Sequence, residues 1–251
     1  MAEPPPISYL CGCGEQRRDL KQRTMIIWII FIGIAILSYA VQANLKRKFE
    51  RFSQQSIASG LTGREVAERM LRDNGIYNVK VTSTPGMLTD HYNPADQTVN
   101  LSDDVYNSCS VAAAAVAAHE CGHAVQHATA YGPLQLRSAL VPIVSISSRF
   151  VSWILLAGIL LLESFPSLLL IGIGLFALTT LFSFVTLPVE IDASRRATQW
   201  LQRAGITSPV DHPMAVSALR SAAYTYVVAA LSSLATLCYY VLIYMSGRRD
   251  D

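Results

Sequence analysis

Four stretches of this chain are almost free of ionisable side chains over a length that a lipid bilayer selects for. Thr24 to Ala43 carries no charge at all, and at about 1.5 Å per helical residue it covers roughly 30 Å of hydrocarbon. Further apolar runs extend from Leu136 to Leu162, from Pro166 to Leu187 and from Ala222 to Met245. In lipid each backbone N–H and C=O must bond within its own segment, so each run is expected as a helix. The composition agrees: 51% hydrophobic residues and 15% charged, with a mean hydropathy of +0.33, against about 25% charged in a soluble domain. The expectation is a mainly α membrane protein with about four transmembrane helices and a small α+β region in water.

The chain then divides into a 1–23 tail, a first span over 24–43, a water-facing region over 44–135, spans over 136–162 and 166–187, a second water-facing segment over 188–221, a last span over 222–245 and a 246–251 tail. Arg17, Arg18, Lys21 and Arg23 precede the first span as in a signal peptide. No small-residue cleavage site follows it, however, and the chain runs into Asn44-Leu45-Lys46-Arg47-Lys48, so it reads as an anchor. Arg149 is expected to snorkel at the interface near the start of the second span. Glu163-Ser164-Phe165-Pro166-Ser167 leaves room only for a tight turn between spans two and three.

This topology places 44–135 and 188–221 on one side of the membrane. That side carries Lys46, Arg47, Lys48, Arg51, Arg137, Arg195, Arg196, Arg203 and Arg220 near span ends, nine against the six of Arg17, Arg18, Lys21, Arg23, Arg248 and Arg249. By the positive-inside rule the larger side is cytoplasmic. A net charge of +2 provides no field to hold a polyanion, so no nucleic-acid partner is expected. The five cysteines have no framework spacing. Cys11 and Cys13 are too close for a zinc pair and read as ordinary thiols in a Pro-rich tail, and Cys238 reads as packing in the last span.

In the water-facing region, Thr62-Gly63-Arg64-Glu65 has the form of a capping box. The helix it starts, with Val66, Ala67, Met70 and Leu71 on one face, is expected to stop at Asn74-Gly75. Tyr77 to Thr82 alternates as a strand, and Met87–Asp90 is expected to pair with Thr98–Leu101. Val111 to Ala130 is Ala-rich and helical by propensity.

That last helix contains His119-Glu120-Cys121-Gly122-His123. Histidines four apart share one helix face and can hold one zinc, while Glu120 can reach a zinc-bound water as general base. A catalytic zinc needs a third protein ligand. His127 lies about 12 Å further along the axis from His119, Glu163 lies across the bilayer, and Asp103 and Asp104 precede the helix at its far end. Glu190, just beyond the third span, is the expected third ligand, with Asp192 as the alternative. His127 is expected as a hydrogen-bonding neighbour or a surface residue, His91 as a solvated loop residue with oxyanion stabilisation as its alternative, and His212 is unassigned. Arg195 and Arg196 read as a solvated face, with pairing to acids or to phospholipid headgroups as the alternative, and Cys121 as core.

Together Ser59-Gly60-Leu61-Thr62-Gly63, Leu88-Thr89-Asp90-His91-Tyr92, Leu101-Ser102-Asp103-Asp104-Val105-Tyr106, Ala117 to His127, Leu136 to Pro142 and Leu187 to Ala197 resemble the membrane-embedded neutral zinc metallopeptidases of the YugP-like type. The resemblance covers nearly everything after Asn44. It implies a bacterial membrane protease with one zinc per chain, held by His119 and His123, with Glu120 catalytic and a protein or peptide as substrate. The Glu190 segment is similar in site logic to HtpX-like membrane proteases. The expected function is therefore a zinc-dependent endopeptidase of the bacterial plasma membrane, with Thr98–Leu101 as a sheet edge on which substrate pairs. The rival is a non-catalytic membrane scaffold with a structural metal or none. A transporter would want ionisable residues buried in the spans, and almost none are present.

Overall fold

The structure, a computed structural model, describes residues 8–247 apart from Met87, and side chains over 25–246. It is mainly α. Helix α1 (Ser8–Ser53) leads into α2 (Gly63–Asp73), strands β1 (Lys80–Thr84), β2 (His91–Asn93) and β3 (Thr98–Ser102), a single turn α3 (Asp103–Tyr106) and α4 (Val111–Ala128). Three long helices follow: α5 (Gly132–Leu160), α6 (Pro166–Arg203) and α7 (Asp211–Gly247). Four helices, α1, α5, α6 and α7, are long and apolar enough to cross a membrane. Their outward faces expose Trp28, Ile36, Trp153, Leu160, Ile171 and Leu242, which suits lipid and not water.

The long helices outrun their apolar runs. α6 continues through Pro188, which has no N–H to give the Phe184 carbonyl, and carries Glu190 and Asp192 on its extension beyond the apolar run. α5 and α6 form the short antiparallel hairpin expected from the Glu163 turn. Gly158 lets them touch, since a Cβ there would come within 2.6 Å of the Leu169 Cα, and this is how helices associate in lipid.

The water-facing core gathers α2, β3, α4, the end of α6 and the start of α7 around Val66, Met70, Leu71, Val99, Leu101, Val111, Leu201 and Ile206. α2 is capped as expected: Thr62 Oγ1 accepts from the Glu65 N–H, and Glu65 Oε2 accepts from the Thr62 N–H at 2.8 Å. Its buried face is the expected Val66, Ala67, Met70 and Leu71, each large apolar side chain contributing about 1.5–3 kcal/mol by burial.

The sheet departs from expectation. Its order is β1-β3-β2, with β1 parallel and β2 antiparallel to β3. The strand expected over Tyr77–Thr82 is Lys80–Thr84, and the partner of Thr98–Leu101 is His91–Asn93 instead of Met87–Asp90. Thr98–Leu101 is therefore the central strand and not an edge. With Val99 and Leu101 fully buried, it is the most apolar of the three and takes the middle. Cys238 faces outward from α7 and is exposed, so it does not pack. Cys11 and Cys13 lie on the first turns of α1, while Pro4-Pro5-Pro6 falls outside the described residues.

Candidate metal centre

α4 is built to lie close against α6. Ser110 caps it, its Oγ accepting from the Ala113 N–H at 3.1 Å, and alanines line its buried face. At Gly122 the approach is tightest: a Cβ there would sit 2.7 Å from the Ala193 carbonyl oxygen and 3.1 Å from its Cα. The missing side chain sets the helix bearing His119 and His123 directly on the turn of α6 that bears Glu190. His119 Nε2 lies 3.3 Å and His123 Nε2 3.6 Å from Glu190 Oε2. Among the described residues these three are the group able to hold a metal ion, their ligand atoms all within 4.8 Å of one another. The other Glu190 oxygen, Oε1, is 3.4 Å from Arg137 Nη1 of α5.

Hydrogen bonds behind the imidazoles decide what they present. Gln126, fully buried, donates through Nε2 to the Val189 carbonyl at 2.8 Å and to Asp192 Oδ2 at 3.1 Å. Its Oε1 must then be the acceptor facing His123 Nδ1 at 3.0 Å, so Nδ1 carries the proton. In the neutral ring, Nε2 is consequently a lone pair aimed at a carboxylate oxygen. His119 has the same arrangement available, with Nδ1 3.2 Å from Ser194 Oγ. Electron-rich atoms converging without a donor between them fit a cation, and two imidazoles with one carboxylate is a donor set that zinc accepts.

Glu120 projects beside this group and is buried; its Oε2 accepts the Tyr92 backbone N–H from β2 at 3.1 Å. The Tyr92 hydroxyl is 2.8 Å from His127 Nδ1, so one residue of β2 is tied to α4 at two points. Burial alone would lower the His123 pKa, but its hydrogen bond to Glu190 and the nearby Glu120 and Glu190 carboxylates raise it. Tyr226 of α7 faces Glu190, Glu120 and Arg137.

The remaining candidates fall elsewhere. Asp192 is engaged by Arg196 Nε at 2.5 Å, Arg195 Nη2 at 2.6 Å and Gln126, so these arginines hold a buried acid and are not simply a solvated face. His127 is exposed and outside the metal group, as its distance along the helix requires. His91 lies on β2 and not in a loop, its ring tied to the Thr89 carbonyl and Asn100. His212 contacts Thr207 at the start of α7. Asp103 bonds Ser83 in the sheet. Glu163, at the opposite end of α6, is about 40 Å from Glu190 by helical rise. Cys121 is fully buried, and burial pushes its thiol pKa well up, as in an inert core residue.

A family model described as "Putative neutral zinc metallopeptidase" matches residues 27–245 of this chain. The chain belongs to this metallopeptidase family. It is also 42% identical over 226 residues to the "Putative membrane protease YugP" of Bacillus subtilis (strain 168), covering 88% of this chain and 99% of that protein. No solved structure matches. The protein is thus a membrane-bound zinc metallopeptidase, a hydrolase acting on peptide substrates.

Several residues around the centre of this metallopeptidase were given no role at the metal by the sequence. Gln126 lies three residues after His123, one turn on, and that spacing is its only trace. Arg137 and Tyr226 come from helices whose packing on α6 no local pattern encodes.

Proposed function

We propose that this metallopeptidase is an endopeptidase in which His119, His123 and Glu190 hold the zinc and Glu120 is the general base. The convergence of the two Nε2 atoms and Glu190 Oε2, with Glu120 on the intervening residue of the same helix, carries this reading. Zinc bound there supplies Lewis acidity to the reacting water and the scissile carbonyl. Glu120 takes the proton of the attacking water and passes it to the departing amine. The Tyr92 N–H holds one Glu120 oxygen in place, leaving the other free for the proton. Gln126 and Ser194 fix the imidazole rings.

The side of the membrane bearing this centre is cytoplasmic by its majority of basic residues, and a bacterial plasma membrane agrees with the Bacillus relative. Elemental analysis and peptide hydrolysis on two variants test the assignment. Glu120→Gln is expected to keep its zinc and lose about 10²–10⁴-fold in rate. Glu190→Ala is expected to lose most of its zinc. Full activity in the first, or full zinc in the second, would overturn the corresponding role.

A further inference from the structure

Beyond the metal centre, the basic residues that follow the first apolar run form one stripe. Asn44, Arg47, Lys48 and Arg51 are spaced i, i+3, i+4 and i+7 on α1, and with Phe52 and Ser217 they line a cleft of about 360 Å³ between α1 and α7. Lys46, on another face, pairs with Glu50 at 3.9 Å. Among the described residues, no carboxylate pairs with Arg47, Lys48 or Arg51. Like charges at i and i+4, as Arg47 and Arg51 are, disfavour a helix unless an anion offsets them.

The donors are only partly used. Lys48 Nζ gives one hydrogen bond to Ser221 Oγ at 2.8 Å, which anchors it against α7. Arg47 Nε reaches the Ala43 carbonyl at 3.3 Å, leaving its terminal nitrogens free of protein partners. The cleft thus offers several charged donors and no negative charge. Its depth identifies the occupant: the uncharged run that begins at Thr24 ends at Leu45, so Lys46, Arg47, Lys48 and Arg51 lie just past the end of the first apolar span, where the phosphates of a bilayer lie.

We propose that the α1–α7 cleft binds the phosphate of an anionic phospholipid headgroup. The site is independent of the metal centre. Native mass spectrometry of the full chain in detergent tests it, with phosphatidylglycerol, phosphatidylcholine and inorganic phosphate as probes. Phosphatidylglycerol is expected to bind in preference to phosphatidylcholine. Arg47→Gln and Arg51→Gln should each weaken it about fivefold. Arg47→Lys/Arg51→Lys should keep most of the binding, and Arg203→Gln, an exposed charge on the same side, should change nothing. Equal binding of the two lipids, equal weakening by Arg203→Gln, or displacement by inorganic phosphate would overturn the proposal. If either Gln variant fails to fold, the other carries the same test.

Discussion

Gln126 and Asp192 are joined across the contact between α4 and α6, the amide Nε2 donating to the carboxylate Oδ2 at 3.1 Å. Two residues of that helix turn thus divide the labour: Glu190 faces the imidazoles, while Asp192 fixes the amide that fixes His123. Arg195 and Arg196 hold Asp192 ionised for this purpose, so a buried acid is fully paired.

Gln126→Leu removes the acceptor from His123 Nδ1 and leaves all three metal-facing groups in place. Zinc affinity is expected to fall about 10–100-fold, as read by chelator competition, with the variant still folded. Asp192→Asn should have the same sense and a smaller size. Complete loss of zinc in Asp192→Asn would instead make Asp192 a ligand.

Gly122→Ala tests the close approach that assembles the site. The Cβ would meet the Ala193 backbone, which cannot swing aside as a side chain would. A loss of about 1–3 kcal/mol in stability is expected, together with weaker zinc binding as His119 and His123 are pushed off Glu190. Thermal unfolding and zinc content measure the two effects. A variant with native stability and native zinc would show that α4 and α6 tolerate separation.

The centre was legible in the sequence because its chemistry is local or topological. Four-residue spacing puts His119 and His123 on one helix face whatever packs around them. Glu190 follows from knowing which side of the bilayer each loop lies on. The sheet was less legible, because the parallel pairing of Lys80–Thr84 with Thr98–Ser102 spans 18 residues and depends on which strand the core buries most. The His123–Gln126–Asp192 chain was illegible for a related reason. A buried glutamine in an alanine-rich helix reads as packing until the helix that supplies its partners is in place.

The raised His123 pKa gives two pH dependences of opposite sign. Without zinc, the protonated imidazole interacts with Glu190, so its contribution to stability is fully present below the ordinary histidine value of about 6.5. It is lost as pH rises through the raised folded value. Zinc needs the neutral ring, so its affinity rises over that same interval. Unfolding in chelator should show a melting temperature that falls as pH rises through this window, and Glu190→Gln should flatten the profile. A flat wild-type profile would mean that His123 is not held protonated by the carboxylate.

The link from Tyr92 to His127 predicts a kinetic effect without a metal effect. Tyr92 holds Glu120 through its backbone N–H and is itself tethered through its hydroxyl to His127, 2.8 Å away. Tyr92→Phe and His127→Ala each cut that tether and touch none of the three metal-facing groups. Each is expected to keep full zinc and to lower kcat less than tenfold, far less than Glu120→Gln. Because both remove the same bond, the double variant should be no slower than the worse single one. Fully additive losses would show that the two residues act separately and that β2 is positioned by its pairing with β3 alone.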